Sequence, residues 1–117
     1  MSIMISGTPI ALVCLVRGSE VPFKVTFGRN NDVFDFKKII KNEIPNTLAN
    51  LDINEIQLWK LNEPISVSSE NIEKLQKISL QDNENITLLI EGKDIVYYWA
   101  EGQILLKTYI HVIVDES

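Results

Sequence analysis

The chain has 117 residues, 45% of them hydrophobic, and a formal net charge of -5. This length falls in the range of one domain with a core of its own. The negative charge and the lack of a Lys/Arg-rich face argue against direct nucleic-acid binding, and one Cys and one His are too few for a four-ligand zinc site.

The start of the chain is interpreted as a flexible lead, residues 1–10, before a domain over residues 11–115. The run from Ile10 to Val16 is apolar, but no Lys or Arg precedes it, and Arg17 follows it. That is the wrong flank for a signal peptide. We interpret the run as a first strand, so any secretion would use an unconventional route. No apolar run approaches the ~18–20 residues that cross a bilayer, and no membrane span is predicted.

A second strand is predicted after a turn at Gly18. Phe23, Val25 and Phe27 alternate with Lys24 and Thr26, the period of a half-buried strand. Two such strands around a short turn predict a hairpin.

A helix is predicted next, with Asp32 as its N-cap and Pro45 at its end. Its apolar stripe is Val33, Phe36, Ile40 and Ile44. The residues expected to face water are Lys37, Lys38, Lys41 and Glu43. In the loop 46–54, Leu48 and Leu51 are expected to be tucked in.

The second half of the chain is less regular. A third strand runs over Glu55–Lys60 and is expected to be closed by Pro64. Ser68 or Ser69 is a candidate cap for a short helix with apolar positions Ile72 and Leu75. Ile86–Ile90 is predicted as a strand, Asp94–Trp99 as either a return strand or a helical turn, and Tyr109–Val114 as the last strand.

This order predicts an α+β fold, a ubiquitin-like β-grasp with a mixed four- to five-stranded sheet packed on one main helix. The two most apolar strands, Leu12–Val16 and Ile110–Val114, would lie in parallel at its centre. The segment 61–108 would be an extended insertion between strands 3 and 5.

Three strings in this order resemble the N-terminal header domain of Crinkler effectors of filamentous plant-associated microbes. They are Leu12-Val-Cys-Leu-Val16 with its following hairpin, Gln57-Leu-Trp-Lys60, and Ile110-His-Val-Ile-Val114. The oomycete-type Leu-Phe-Leu-Ala-Lys string is not present, so the fungal-type members are the nearer likeness.

The resemblance implies a ubiquitin-like N-terminal domain that serves secretion and entry into host cells, with full-length effectors commonly reaching the host nucleus. It also implies a C-terminal effector domain in longer members. We expect either an N-terminal domain taken from a longer protein or a short stand-alone member, acting on host or effector-partner proteins.

A partner-binding sheet face is predicted from strand alternation and from the comparison with ubiquitin, which binds partners through its open sheet. If Ile110, Val112 and Val114 face the helix, His111 and Ile113 face outward. On the third strand Trp59 would also face outward, and Gln57 shares its side. Trp is enriched in interface hot spots, although a rim aromatic that covers a loop would look the same.

No catalytic residue, cofactor or metal site is predicted, because His111 has no recognisable nucleophile partner. Cys14 is interpreted as a buried small hydrophobe, and one or two of Tyr97, Tyr98 and Trp99 as plugs of the core. Two alternatives to a targeting function stay open. One is an intracellular ubiquitin-like adaptor, and the other is a homodimerisation module that pairs through the edge of strand 2.

Overall fold

The computed structural model describes residues 4–44, 48 and 51–116. Within these residues lie five strands: β1 Pro9–Val16, β2 Phe23–Gly28, β3 Ile56–Ser66, β4 Ile86–Leu88 and β5 Tyr109–Glu116. The same residues form two helices, α1 over Val33–Glu43 and α2 over Ser69–Lys77, and short 3-10 turns at Ile53–Glu55 and Ile95–Tyr97.

The strands form one mixed sheet in the order β2-β1-β5-β3-β4. β1 pairs in parallel with β5, with Cys14 opposite Val112, and the other neighbours are antiparallel. The predicted parallel pair at the centre is confirmed. With α1 across one face, this α+β arrangement is compatible with a ubiquitin-like β-grasp.

Helix α1 forms where the sequence predicts it. The Asp32 carboxylate accepts a hydrogen bond from the Asp35 amide over 2.8 Å, which caps the first turn. The apolar stripe buries Phe36, whose ring stacks on Phe27 with 4.6 Å between centroids. Ile44 follows the helix as its C-cap residue, and the predicted terminator Pro45 lies outside the described residues.

The prediction that Lys37 faces water is wrong. Its side chain is buried, and Nζ lies 2.6 Å from a carboxylate oxygen of Glu91. The cause is the segment after β4, which folds back over α1, so that the Val33 amide donates to the Lys93 carbonyl. Lys41 is half-buried and donates to the carbonyl of Leu51.

A second layer covers the other face of the sheet, which the prediction of one main helix did not include. Ser68 caps α2 by accepting from the Asn71 amide, as one of the two predicted caps. Ile72 and Leu75 of α2 pack into a cluster with Leu15 of β1 and Ile113 of β5. α1 belongs to a separate cluster on the opposite face. The sheet is therefore buried on both sides.

Two of the boundaries that differ from the sequence predictions have a clear structural reason. β3 does not end before Pro64 but continues to Ser66, because its register with β5 is irregular between Lys60 and Ile65. A proline is tolerated in such an interruption, where no ladder hydrogen bond is required of it. β1 begins at Pro9, and the Ser6 carbonyl already accepts from the Asn30 amide.

The remaining sequence predictions concern the segment 94–99 and Leu48. Ile95–Tyr97 is a helical turn rather than a return strand. Of the three aromatic residues there, Trp99 is buried in the α1-side core, Tyr98 packs partly against it and Tyr97 is exposed. Leu48 is buried in the same core, as predicted.

Candidate partner-binding surface

The predicted partner face is closed by α2. Trp59 and Ile113 are neighbours across the β3–β5 ladder and point away from α1, as the alternation predicts. They are nevertheless only 6% and 0% exposed. The apolar side of α2 needs a surface on which to pack, and it takes this face together with Leu80 and Ile86. The prediction that Trp59 and Ile113 form an open face is corrected accordingly.

His111 is also buried, for a different reason. On either side of it, Val112 pairs with Lys60 and Ile110 pairs with Ile65, so four β3 residues lie opposite one β5 residue. This irregularity breaks the alternation of β5. Ile110 joins the α2-side cluster, against the prediction that it faces α1. His111 itself is 1% exposed.

The His111 ring takes part in the sheet through its side chain. Nδ1 accepts a hydrogen bond from the Val13 amide of β1 over 3.0 Å. Because Nδ1 is an acceptor, the neutral ring carries its proton on Nε2. Burial lowers the pKa of His111 from its ordinary value, which keeps the ring neutral.

The Nε2–H donor is buried and has no hydrogen-bond partner among the described residues. An unpaired buried donor costs about 1–3 kcal/mol. An unpaired hydrogen-bond donor, His111 Nε2–H, thus lies beside the place where the β3–β5 ladder is interrupted.

A cavity of about 230 Å³, the His111 cavity, lies at that interruption. Its walls are Pro64, Gln103, Ile104, Leu105, Leu106, Tyr109 and His111. Ile104 and Leu106 are 84% and 54% exposed, so two large aliphatic side chains at this cavity are open to solvent. Sequence reasoning missed this site. Its one signal was a pair of apolar residues, Ile104 and Leu106, in a stretch with no strand or helix period.

Arg29 holds in place the segment that carries Ile104 and Leu106, which form the exposed rim of the His111 cavity. Its buried guanidinium donates from Nε to the Trp99 carbonyl over 3.2 Å, from Nη1 to the Pro9 carbonyl over 3.0 Å and from Nη2 to the Gln103 carbonyl over 3.4 Å. Three acceptors from two parts of the chain converge on one side chain. The segment after Trp99 is thereby tied to the start of β1, although it contains no helix or strand.

Gln57 and Trp59 line a second opening, the α2-end groove, of about 450 Å³. The loop Ile78–Gln81 forms one wall, and Arg17 donates from Nη1 to the Ile78 carbonyl over 2.9 Å. Gln57 is half-buried, and Trp59 Nε1 has no partner in the described part of the chain. Two of the four predicted site residues thus meet here, whereas His111 and Ile113 lie elsewhere.

The nucleophilic and metal-ligating groups are in structural positions. The Cys14 side chain is fully buried, and burial raises the pKa of its thiol, so the thiol stays protonated. Among the described residues no group of three or more His, Cys, Asp or Glu side chains is placed to hold a metal ion. In the same residues, neither helix has the length and apolar character to cross a bilayer.

Sheet, helices and buried polar groups together define a small α+β domain whose sheet is closed by one helix on each face. Compared with known families, residues 10–115 match the Crinkler effector protein N-terminal domain. The chain belongs to this family, and the predicted resemblance to Crinkler N-terminal domains is confirmed.

A full-length relative is similar over most of the chain. It is Crinkler effector protein 1 from Rhizophagus irregularis, 29% identical over 108 residues. The match covers 91% of this chain but only 21% of that relative, so the chain spans about a fifth of its length. No solved structure matches the chain with significance.

Proposed function

We propose that this chain is a non-catalytic header module, that is, an N-terminal targeting module, of a secreted Crinkler-type effector. It acts through protein–protein contacts and delivery into host cells. The observation that carries the proposal is the family match over residues 10–115. The match to one part of a much longer effector also supports a targeting module joined to a separate effector domain.

The chemistry of the buried groups supports a role without catalysis. A protonated, fully buried Cys14 thiol is a poor nucleophile. A general base needs a free ring nitrogen with access to substrate, whereas Nδ1 of His111 is occupied by the Val13 amide. Both groups serve the packing and pairing of the central strands.

The contacts with partners would not use the face that ubiquitin uses, since α2 covers it here. They would use the edges and loops around the closed sheet. Gln57 is the predicted site residue that keeps appreciable exposure. Nuclear arrival and an unconventional secretion route belong to the same proposal and concern the full-length effector.

The test is a delivery assay with a split reporter. Residues 1–117 carry a short luciferase fragment, and plant root cells express the complementary part in their cytosol. We expect luminescence with this fusion and none with the fragment alone. The matched control is the same fusion with Phe36→Asp, which buries a charge in the α1 core and unfolds the targeting module. Luminescence no higher than that of the control contradicts delivery by this module.

A further inference from the structure

The His111 cavity combines an apolar wall with one buried polar donor. Leu105, Leu106 and Tyr109 come from one side, and Pro64 of the β3 irregularity comes from the other. Nδ1 of His111 is turned toward β1 by its bond to the Val13 amide. Nε2–H, on the other side of the ring, is the donor without a partner among the described residues, and His111 is one of the residues that line the cavity. A ligand that fits needs an apolar group and a hydrogen-bond acceptor.

The rim extends beyond what a small molecule in the cavity would cover. Ile104 and Leu106 stand out from the 103–109 segment, and both remain largely exposed. Exposed large apolar residues grouped beside a cavity are typical of interaction sites. The Arg29 bonds to Trp99 and Gln103 hold this segment in place before any ligand arrives. Such preorganisation reduces the entropy that binding has to overcome.

The charge of the module restricts the acceptor. The chain carries a net charge of -5, and two exposed carboxylates, Glu63 and Glu101, flank the cavity segments in sequence, against one exposed cation in the lining segment, Lys107. An anionic acceptor would be repelled and would lose its hydration against apolar walls. A neutral main-chain carbonyl meets neither obstacle, and basic residues beside it would be attracted.

We propose that the His111 cavity binds an extended peptide segment of a partner protein. The segment inserts one apolar side chain between Pro64 and Leu106 and lies over Ile104. One of its main-chain carbonyls accepts the hydrogen bond from His111 Nε2–H, and basic residues flank the apolar one. This inference rests on the proposed function, because it names one surface through which the targeting module contacts proteins.

The test selects ligands from a random linear dodecapeptide phage library against the full chain. We expect enriched peptides with an apolar residue flanked by Lys or Arg. Their synthetic versions should bind the Ile104→Ser/Leu106→Ser variant at least tenfold more weakly than the unchanged chain. The matched control is Val21→Ser, a substitution at another exposed apolar residue, 73% exposed in the β1–β2 turn. Its affinity should stay within twofold.

The single histidine supplies a second, independent measurement. With ¹⁵N-labelled histidine, every imidazole signal comes from His111. Peptide binding should shift the Nε2 resonance and leave Nδ1 nearly unchanged, because Nδ1 keeps its bond to Val13. Peptides that bind both variants equally, or that leave Nε2 unmoved, overturn the proposal.

A library that returns no specific peptide also overturns it, since the cavity then holds only solvent. That failure is separate from a failure of the targeting function, which the delivery assay measures on the unchanged chain. Both serine variants should unfold at the same urea concentration as the unchanged chain, so a loss of affinity reports on the surface and not on the fold.

Discussion

The main-chain amide of Val13 and the Nδ1 atom of His111 share a hydrogen bond of 3.0 Å that joins β1 to β5 through a side chain. The register between these strands begins one residue later, at Cys14 and Val112. The histidine thus extends the central pairing to a position where β5 departs from regular alternation. This bond requires a neutral ring, which makes the stability of the domain sensitive to acid.

Acid should destabilise the domain through His111. The unfolded-state pKa is about 6.5, and burial lowers the pKa in the folded state. The stabilising contribution is therefore complete above about pH 6.5 and falls as the pH decreases toward the folded-state pKa. We expect the urea midpoint to fall between pH 7 and pH 5 more steeply for the unchanged chain than for His111→Asn, which keeps an acceptor but cannot titrate. Parallel curves for the two proteins would contradict a neutral, buried histidine.

Two isoleucines distinguish a covered sheet face from an open one. Ile113→Ala removes a side chain that is 0% exposed beneath α2, so we expect a loss of about 2–5 kcal/mol in the free energy of unfolding. Ile104→Ala makes the same change at 84% exposure and should stay within about 0.5 kcal/mol. Urea denaturation of both variants provides the measurement. A small effect at Ile113 would mean that the face is open.

Arg29→Lys should loosen the segment after Trp99. A lysine cannot reproduce the three-way contact of the guanidinium with the carbonyls of Pro9, Trp99 and Gln103. Losing one such charged hydrogen bond costs about 1.5–3 kcal/mol. Hydrogen exchange followed by mass spectrometry should show faster exchange over residues 100–106, with β1 and β5 less affected. Unchanged exchange over residues 100–106 would show that Arg29 does not position the rim.

Cys14 should resist thiol reagents in the native protein. Its side chain is fully buried, and the raised pKa leaves little thiolate. We expect no labelling by a chromogenic disulfide reagent under native conditions within the time that fully labels the chain in urea. Cys14→Ala gives the background. Prompt labelling of the folded chain would contradict its place in the central strand.

The first half of the domain could be predicted from local patterns because its elements are regular. Asp32 stands in front of a stripe of period 3.6, and β2 alternates cleanly, so both followed from spacing alone. The near-continuous apolar runs of β1 and β5 carried further information. Strands that are apolar on both sides are typical of sheets covered on both faces. The prediction used this signal only to place the two strands in parallel at the centre, and the second layer was not predicted.

The burial of Trp59 and His111 could not be predicted in the same way. Trp59 was placed on the right face, but whether that face is open depends on where α2 docks, which is a tertiary property. His111 was assigned by strict alternation, and the extra β3 residues opposite it break that alternation. Lys37 was expected to face water because of its position in the helix period, yet the segment with Glu91, which is distant in sequence, folds over it. Each error arose where a contact distant in sequence overrode a local period.

The packing of α2 over the sheet face that carries Trp59 and Ile113 decides which surfaces remain for partners. A methyl-labelled NOE spectrum of the full chain measures this packing without any substitution. We expect cross-peaks from the Ile113 methyl groups and the Trp59 indole protons to the methyl groups of the cluster formed by Ile72, Leu75 and Leu80. An Ile113 side chain without such cross-peaks, together with an indole that acrylamide quenches freely, would show instead that the face is open.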